Sequence, residues 1–152
     1  MTEYEDLLLD AYRGEVLGAE LFGTMADGAT ADAQRTQLRA LERVEARTAA
    51  RLRALVDAAG LDPGDEEAAA GGVRLAASTR DQDWTAFLAA LRSALPPFLQ
   101  SFERLQELGV AGDPVLADLV AHERAIDRFA ELEIEGRSGD ALAVLEGHLA
   151  TV

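Results

Sequence analysis

Three glutamates stand in rows of apolar residues that repeat every three or four positions along the chain. The rows are Leu8, Tyr12, Glu15, Ala19 and Phe22; Leu38, Leu41, Glu45, Thr48, Leu52 and Leu55; and Leu116, Leu119, Glu123, Ile126 and Ala130. That spacing places each row on one face of an α-helix. A carboxylate buried among apolar side chains costs free energy unless it is paired or bound to a metal ion. The rows therefore predict helices that share a polar site near their middles.

The composition predicts a single domain, residues 1–152, with an aliphatic core. Of its 152 residues 49% are hydrophobic and only 5% are aromatic, so aliphatic side chains and alanine must do most of the packing. With a net charge of −14, the chain is not expected to bind nucleic acid or an anionic membrane surface. It contains no cysteine, which excludes disulfides and thiolate chemistry.

The chain is expected to be cytoplasmic and to have no membrane segment. No apolar run approaches the length of a membrane span. The first six residues, MTEYED, are acidic and lack the basic region with which a signal peptide begins.

Start and stop signals divide the chain into four long helices and a short last one. Side chains that cap a helix start, and glycines that end one, mark most of the boundaries. The predicted limits are a Thr2–Glu5 capping box to about Ala26, before Gly28; a Thr30 or Asp32 cap to about Ala59; a Thr79–Gln82 capping box to Gly109; Asp113-Pro114 to about Glu135, before Gly136; and an Asp140 cap for a helix from Ala141 to Leu149.

The connection between the second and third long helices is itself long. It runs from about Gly60 to Thr79, contains Gly71-Gly72, and is predicted to hold one short helical piece from about Val73 to Ala77. Four helices joined by short, long and short connections form two helical hairpins with a crossover. No segment alternates β-branched and polar residues, so no sheet is predicted.

Pro96-Pro97 is predicted to kink or break the third long helix, because proline removes an amide donor and clashes with the preceding turn. Two interpretations remain open. The prolines either open a cavity in the middle of the bundle, or mark a kink that the fold tolerates or a point where two helices meet.

Three segments resemble ferritin-like proteins, in particular the small bacterial members of that superfamily. They are YRGE at 12–15, LERVE at 41–45 and HERAIDRF at 122–129, and the resemblance extends over about residues 3–135. It implies an all-α fold: a ferritin-like four-helix bundle of two hairpins with a long crossover, here with a short C-terminal helix.

The resemblance also implies a set of metal ligands. In the metal-binding members the first and third helices each supply one Glu, and the second and fourth each supply Glu-x-x-His. Glu15 matches the first-helix ligand, and Glu45 and Glu123 match the glutamates of the two motifs. Thr48 and Ile126 stand where the motifs have histidine, and the third helix has no acid in its middle. The implied site is an incomplete carboxylate site for a divalent ion such as Fe, Mn or Zn.

His122 is a fourth candidate ligand, since imidazole binds iron and zinc. It directly precedes Glu123, and consecutive helical residues point about 100° apart. We therefore expect the two side chains not to face one target as an i, i+3 pair does. The alternative is a packing or interface histidine, with the glutamates hydrogen-bonded to Tyr12, Thr48 or a buried arginine.

The second helix carries a row of arginines at every fourth position, which we call the arginine ridge. Like charges at this spacing repel and need acidic partners. The ridge predicts a homodimer in which it meets an acidic helix of a second copy, and a solvated face with scattered salt bridges is the alternative. Its members are Arg35, Arg39, Arg43, Arg47 and Arg51.

These features predict a ferritin-like protein with an incomplete carboxylate metal site, either simply metal-binding or related to oxidoreductases, without naming a reaction. Two alternatives remain. One is a metal-free helical protein for interaction or oligomerisation, and the other is a bundle that holds an apolar ligand beside the two prolines.

Overall fold

Six helices account for most of residues 1–151, the part of the chain that the computed structural model describes. No strand occurs within residues 1–151, so the predicted all-α class is confirmed. No helix in this range is long and apolar enough to cross a membrane. The helices are α1 (Glu3–Gly28), α2 (Asp32–Ala58), α3 (Asp65–Ser78), α4 (Trp84–Leu108), α5 (Pro114–Ile134) and α6 (Ser138–Leu149).

Two predicted helix starts are confirmed by their capping hydrogen bonds. The Thr2 hydroxyl accepts from the Glu5 amide while the Glu5 carboxylate accepts from the Thr2 amide, which is a complete capping box. The Asp113 carboxylate accepts from the Val115 amide at the start of α5, where Pro114 occupies the first helical position.

The other three predicted starts are wrong in detail. α2 follows Ala31, which has no capping side chain, so neither Thr30 nor Asp32 is its cap. α4 begins after Asp83, whose carboxylate accepts from the Ala86 amide, and the predicted Thr79–Gln82 box is a turn instead. α6 begins at Ser138, so Asp140 lies inside it. Residues able to cap are frequent near these starts, and the sequence does not rank them.

The four long helices form a closed ring in which every neighbour is antiparallel. α1 contacts α2 and α4, and α5 contacts the same two helices from the opposite side. The ion pair between Arg104 and Glu3 joins the end of α4 to the start of α1. The hydrogen bond from Gln37 to Glu133 joins the start of α2 to the end of α5. α6 packs on α5 and α2 outside this ring.

The long crossover is present, but it is more helical than predicted. α3 spans Asp65–Ser78, not only a short piece around 73–77, and it runs parallel to α1. The Tyr12 hydroxyl donates to the Asp65 carboxylate at 2.6 Å and holds its first turn. Gly72 lets α3 lie close to α1, because a Cβ there would overlap the Leu17 carbonyl. The glycine pair marks a close helix contact and not a break.

Pro96 and Pro97 do not break α4, which continues from Trp84 to Leu108. Of the two predicted effects, a kink or a break, the break is therefore wrong. Both prolines are exposed, so their rings lie on the outer side of the helix while Leu95 and Phe102 face the core.

The apolar core is divided into two clusters by a layer of polar side chains. The upper cluster includes Leu21, Phe22, Leu41, Val44, Phe87, Leu95, Ile126 and Phe129, and the lower cluster includes Leu8, Tyr12, Ala49, Leu52, Phe102, Leu105, Leu116 and Val120. Between the two clusters, α1, α2 and α5 each bury at least one acidic side chain. We call this set the polar layer; it consists of Glu15, Glu45, His122 and Glu123, all buried.

Candidate metal centre

The polar layer brings together side chains from three helices around the imidazole of His122. Its Nε2 atom lies 2.9 Å from Oε2 of Glu15, 3.4 Å from Oε2 of Glu45 and 3.9 Å from Oε2 of Glu123. Glu15 comes from α1, Glu45 from α2, and the remaining two from α5. The three glutamates that the sequence singled out therefore do face one common space.

His122 belongs to this group, contrary to the expectation that it and Glu123 point to different targets. The two residues leave α5 about 100° apart, but their side chains flank the direction of the bundle interior and bend back toward it. His122 is fully buried, and its ring packs on Phe102 of α4 with the ring centroids 5.9 Å apart. Helical periodicity fixes the direction in which each side chain leaves the backbone but not how far the side chain reaches around the helix.

The hydrogen bonding of His122 fixes which ring nitrogen is available to a ligand. Nδ1 contacts the carbonyl oxygen of Leu119, which can only accept, so Nδ1 carries a proton and donates it. Nε2 then points into the polar layer. It has no partner with hydrogen-bond geometry, although Oε2 of Glu15 is within 2.9 Å. A histidine that ligates a metal ion usually donates its second ring N–H to a carbonyl or carboxylate in this way.

The carboxylates have no cation other than His122 among residues 1–151. No arginine lies within 4 Å of Glu15, Glu45 or Glu123 in this part of the chain. The predicted alternative partners bind elsewhere: the Tyr12 hydroxyl donates to Asp65, and the Thr48 hydroxyl donates to the Val44 carbonyl. While His122 is neutral, Oε2 of Glu15 and Oε2 of Glu45 are buried without a hydrogen-bond donor. Such groups are costly inside a protein.

Burial and mutual charge shift the protonation of the polar layer. Burial lowers the pKa of His122, but the negative charges of Glu15 and Glu123 outweigh it and raise that pKa to about 9. Burial raises the pKa of Glu123 to about 7, against the opposing effect of His122. Without another cation, the layer therefore retains protons at neutral pH in order to reduce its negative charge.

Gly18 leaves room for the Glu45 carboxylate. A Cβ at Gly18 would lie 2.8 Å from Oε1 of Glu45, closer than side-chain contacts allow. Gly14, also in α1, has nothing near its Cβ position.

The donor atoms fit one divalent cation. One ligand atom from each of Glu15, His122 and Glu123 lies within 4.8 Å of the other two. Two ligands bound to one ion at about 2.0–2.2 Å lie at most about 4.4 Å apart, so small side-chain movements suffice. Carboxylate oxygens and a neutral imidazole together suit iron, manganese or zinc. Glu45 lies beside this group, 3.4 Å from Nε2, as a fourth donor.

A second polar cluster, one turn before His122 on α5, was not predicted. Asp118 lies 3.3 Å from Arg51, 3.8 Å from Arg47 and 3.6 Å from Nε2 of His148. We call these four residues the Asp118 cluster. Arg47 also donates to the backbone carbonyls of His148 and Thr151, which holds the end of α6 against α2.

The Asp118 cluster gives two members of the arginine ridge an acidic partner within the same chain. Arg47 and Arg51 bind Asp118, Arg35 pairs with Asp32, and Arg39 pairs with Asp27 and Glu42. Most of the ridge therefore finds its acidic partners within the same chain, so charge repulsion along α2 no longer requires a second copy. The homodimer stays a prediction without this support.

Comparisons of the chain with protein-family models, with curated proteins and with solved structures found no match.

Proposed function

We propose that this protein is a ferritin-like metalloprotein that binds one divalent cation in the polar layer. Glu15, His122 and Glu123 would be the ligands, with Glu45 as a fourth donor on the α2 side. The resemblance of the sequence to ferritin-like proteins and the ring of two hairpins with a helical crossover support the family. The missing Glu-x-x-His histidines and the absence of an acid from the middle of α4 favour one ion and not a pair. A bound redox metal would supply oxidoreductase chemistry.

One observation carries this proposal. Three buried carboxylates converge on a buried imidazole nitrogen, and no arginine lies within 4 Å of them among residues 1–151. A buried charge without an oppositely charged partner strongly destabilises a folded protein. Buried carboxylates without such a partner are therefore expected to bind a cation or to serve a function. A divalent cation would neutralise two of the three charges and accept oxygen and nitrogen ligands at once.

The test is the metal content of protein purified without chelators, followed by titration of the chelated protein with Fe²⁺, Mn²⁺ and Zn²⁺. We expect about one equivalent of metal in the parent and a loss of binding in Glu15→Gln and His122→Asn. Asp118→Asn is the matched control, because it changes a buried acid outside the polar layer. If none of the three ions binds to the parent, the proposal fails.

A metal-free role is the second candidate, favoured by the 2.9 Å distance between Nε2 of His122 and Oε2 of Glu15. In that case protonated His122 is the counter-ion of the glutamates and the layer orders the helices of an interaction protein. The same titration separates the two, since a structural ion pair gives no saturable metal binding.

A further inference from the structure

A cavity between α4 and α5 reaches one member of the polar layer. Its volume is about 250 Å³, and Glu123 is the member of the polar layer that lines it. Leu95, Pro96 and Leu99 of α4 are its apolar lining residues, and the other five are Gln100, Glu103, Glu123, Arg124 and Asp127. Pro96 is exposed, so the cavity begins at the protein surface. It ends beside a carboxylate that is only 7% exposed.

Two ion pairs that join α4 to α5 flank the mouth of the cavity. Arg124 lies 3.4 Å from Glu103 on one side, and Arg92 lies 2.9 Å from Asp127 on the other. Arg92 and Glu103 are eleven residues apart on α4, which is about 16 Å along a helix. The segment between them contains Pro96 and Leu99. Glu103, Arg124 and Asp127 are therefore paired, and on α4 the uncharged Leu95, Pro96, Leu99 and Gln100 line the cavity between these pairs.

α4 is the only helix of the ring without a polar group in the polar layer. At that level it presents Leu95, Leu99 and Phe102, whereas α1, α2 and α5 contribute all four polar side chains. An ion held by Glu15, His122 and Glu123 would thus have its uncovered side toward α4. That side is also where the cavity meets Glu123.

We propose that this cavity binds a small, uncharged aliphatic molecule with one oxygen donor, such as a short alcohol. The position of the oxygen end of the ligand rests on the proposed function, because it is set by the bound metal ion. The position of the apolar part rests on the cavity alone. The apolar side chains of Leu95, Pro96 and Leu99 fit an aliphatic chain. The volume lies below the ~300–1,000 Å³ of sites for drug-sized ligands. An anionic end would add a fourth negative charge to three carboxylates, and a cationic end would meet the bound ion. A neutral oxygen avoids both costs.

The first test uses 1-butanol and 1-hexanol as probes and butyrate as the charged counterpart of 1-butanol. Binding is followed from the NMR shifts of the Leu95 and Leu99 methyl groups in metal-free protein. We expect the two alcohols to shift these methyls, with about fourfold tighter binding for each CH₂ that the cavity still accommodates. Butyrate should bind at least fivefold more weakly than 1-butanol. Equal binding of the two, or no shift with either alcohol, overturns the proposal.

The second test locates the oxygen end with the Mn²⁺-loaded protein. Mn²⁺ should broaden the CH₂OH resonance of 1-hexanol more than its terminal methyl resonance, and the opposite order overturns the proposed orientation. If the protein binds no Mn²⁺ while the alcohols still shift the methyls, the metal proposal fails and the cavity proposal stands.

The third test fills the cavity by Leu99→Phe. Leu55→Phe is the control, because Leu55 is also half-buried in the lower cluster but does not line the cavity. Leu99→Phe should weaken alcohol binding at least fivefold and change the Mn²⁺ affinity by less than twofold, whereas Leu55→Phe should change neither. Unaltered alcohol binding in Leu99→Phe overturns the proposal. If that variant does not fold, the binding of the two alcohols and of butyrate to the parent still tests the proposal.

Discussion

The polar layer and the Asp118 cluster lie one turn apart on α5, and they differ in the source of their positive charge. The Asp118 cluster has one carboxylate and two arginines, so its cations belong to the chain. The polar layer has three carboxylates and one histidine whose own charge depends on pH. Both clusters also contain a histidine with an unpartnered Nε2.

The two histidines respond to this difference in opposite directions. Burial lowers the pKa of His148, and the neighbouring Arg47 and Arg51 oppose the effect of Asp118 and lower it further. The pKa of His122 is raised instead, because the glutamates outweigh burial. In the Asp118 cluster, residues of the chain itself balance the negative charge. In the polar layer, the carboxylates carry more negative charge than residues of the chain neutralise. The following predictions test this contrast.

Divalent metal should stabilise the parent and variants of the Asp118 cluster, but not variants of the polar layer. At a free metal concentration of 100 times Kd, binding adds about 2.7 kcal/mol to the free energy of unfolding, which raises Tm by about 5–10 °C. Thermal melts with and without Mn²⁺ or Zn²⁺ measure this rise. Glu15→Gln should abolish it and Asp118→Asn should retain it. A rise that persists in Glu15→Gln would contradict the ligand assignment.

The metal-free protein should lose stability as pH rises, because the folded state binds more protons than the unfolded chain. The pKa of Glu123 is raised to about 7, so its contribution falls between about pH 4.5 and 7. The pKa of His122 is raised to about 9, so its stabilisation is full below about pH 6.5 and is lost as pH rises through 9. Between pH 7.5 and 9 the expected loss is about 1–2 kcal/mol, nearly all of it from His122.

Denaturant unfolding of chelated protein at pH 7.5, 8.25 and 9 measures that slope. His122→Asn should remove it, whereas His148→Asn should preserve it, because His148 is already neutral in both states at these pH values. A parent whose stability is constant or increases over this range would contradict the raised pKa of His122.

Removing an acid should have opposite effects in the two clusters. Asp118→Asn leaves Arg47 and Arg51 without their carboxylate and should cost about 1–2 kcal/mol. Glu123→Gln in metal-free protein at pH 8 removes a buried negative charge and should be neutral or stabilising by about 1 kcal/mol. Both free energies come from denaturant unfolding with chelator present. Equal destabilisation by the two changes would remove the distinction between the clusters.

A methyl group placed against Glu45 should weaken the metal site without unfolding it. Gly18→Ala forces the Glu45 carboxylate to move, and we expect a loss of metal affinity of about tenfold, or 1.4 kcal/mol. Gly14→Ala is the control in the same helix, with no atom within 4 Å of the new Cβ. It should leave metal affinity unchanged and stabilise α1 by about 0.5–1 kcal/mol. Equal metal affinities in the two variants would exclude Glu45 from the site.

The helical class and the position of the glutamates were predictable because both follow from backbone periodicity. The rows through Glu15, Glu45 and Glu123 fix which face of each helix is inward, and the antiparallel hairpins bring the middles of the helices to one level. α3 was underestimated because its stability comes from packing on α1, which Gly72 permits. Propensity alone counts Gly71-Gly72 only as a cost.

The chemistry of the site was less predictable, because it depends on contacts distant in sequence. The sequence of α2 does not show which carboxylate its arginines bind. Arg47 is two residues after Glu45, yet it pairs with Asp118 of α5. The role of His122 required the length and bending of its side chain. The contact between His122 and the Leu119 carbonyl left no signal in the sequence, because every residue inside a helix follows a carbonyl by three positions.

The central claim is that a metal ion and a proton compete for Nε2 of His122. Calorimetric titration of chelated protein with Zn²⁺ at pH 7, in two buffers of different ionisation enthalpy, counts the protons released per ion bound. We predict one ion per chain and the release of between one and two protons, one from His122 and a fraction from Glu123. No saturable binding, or binding of one ion without proton release, would contradict the account.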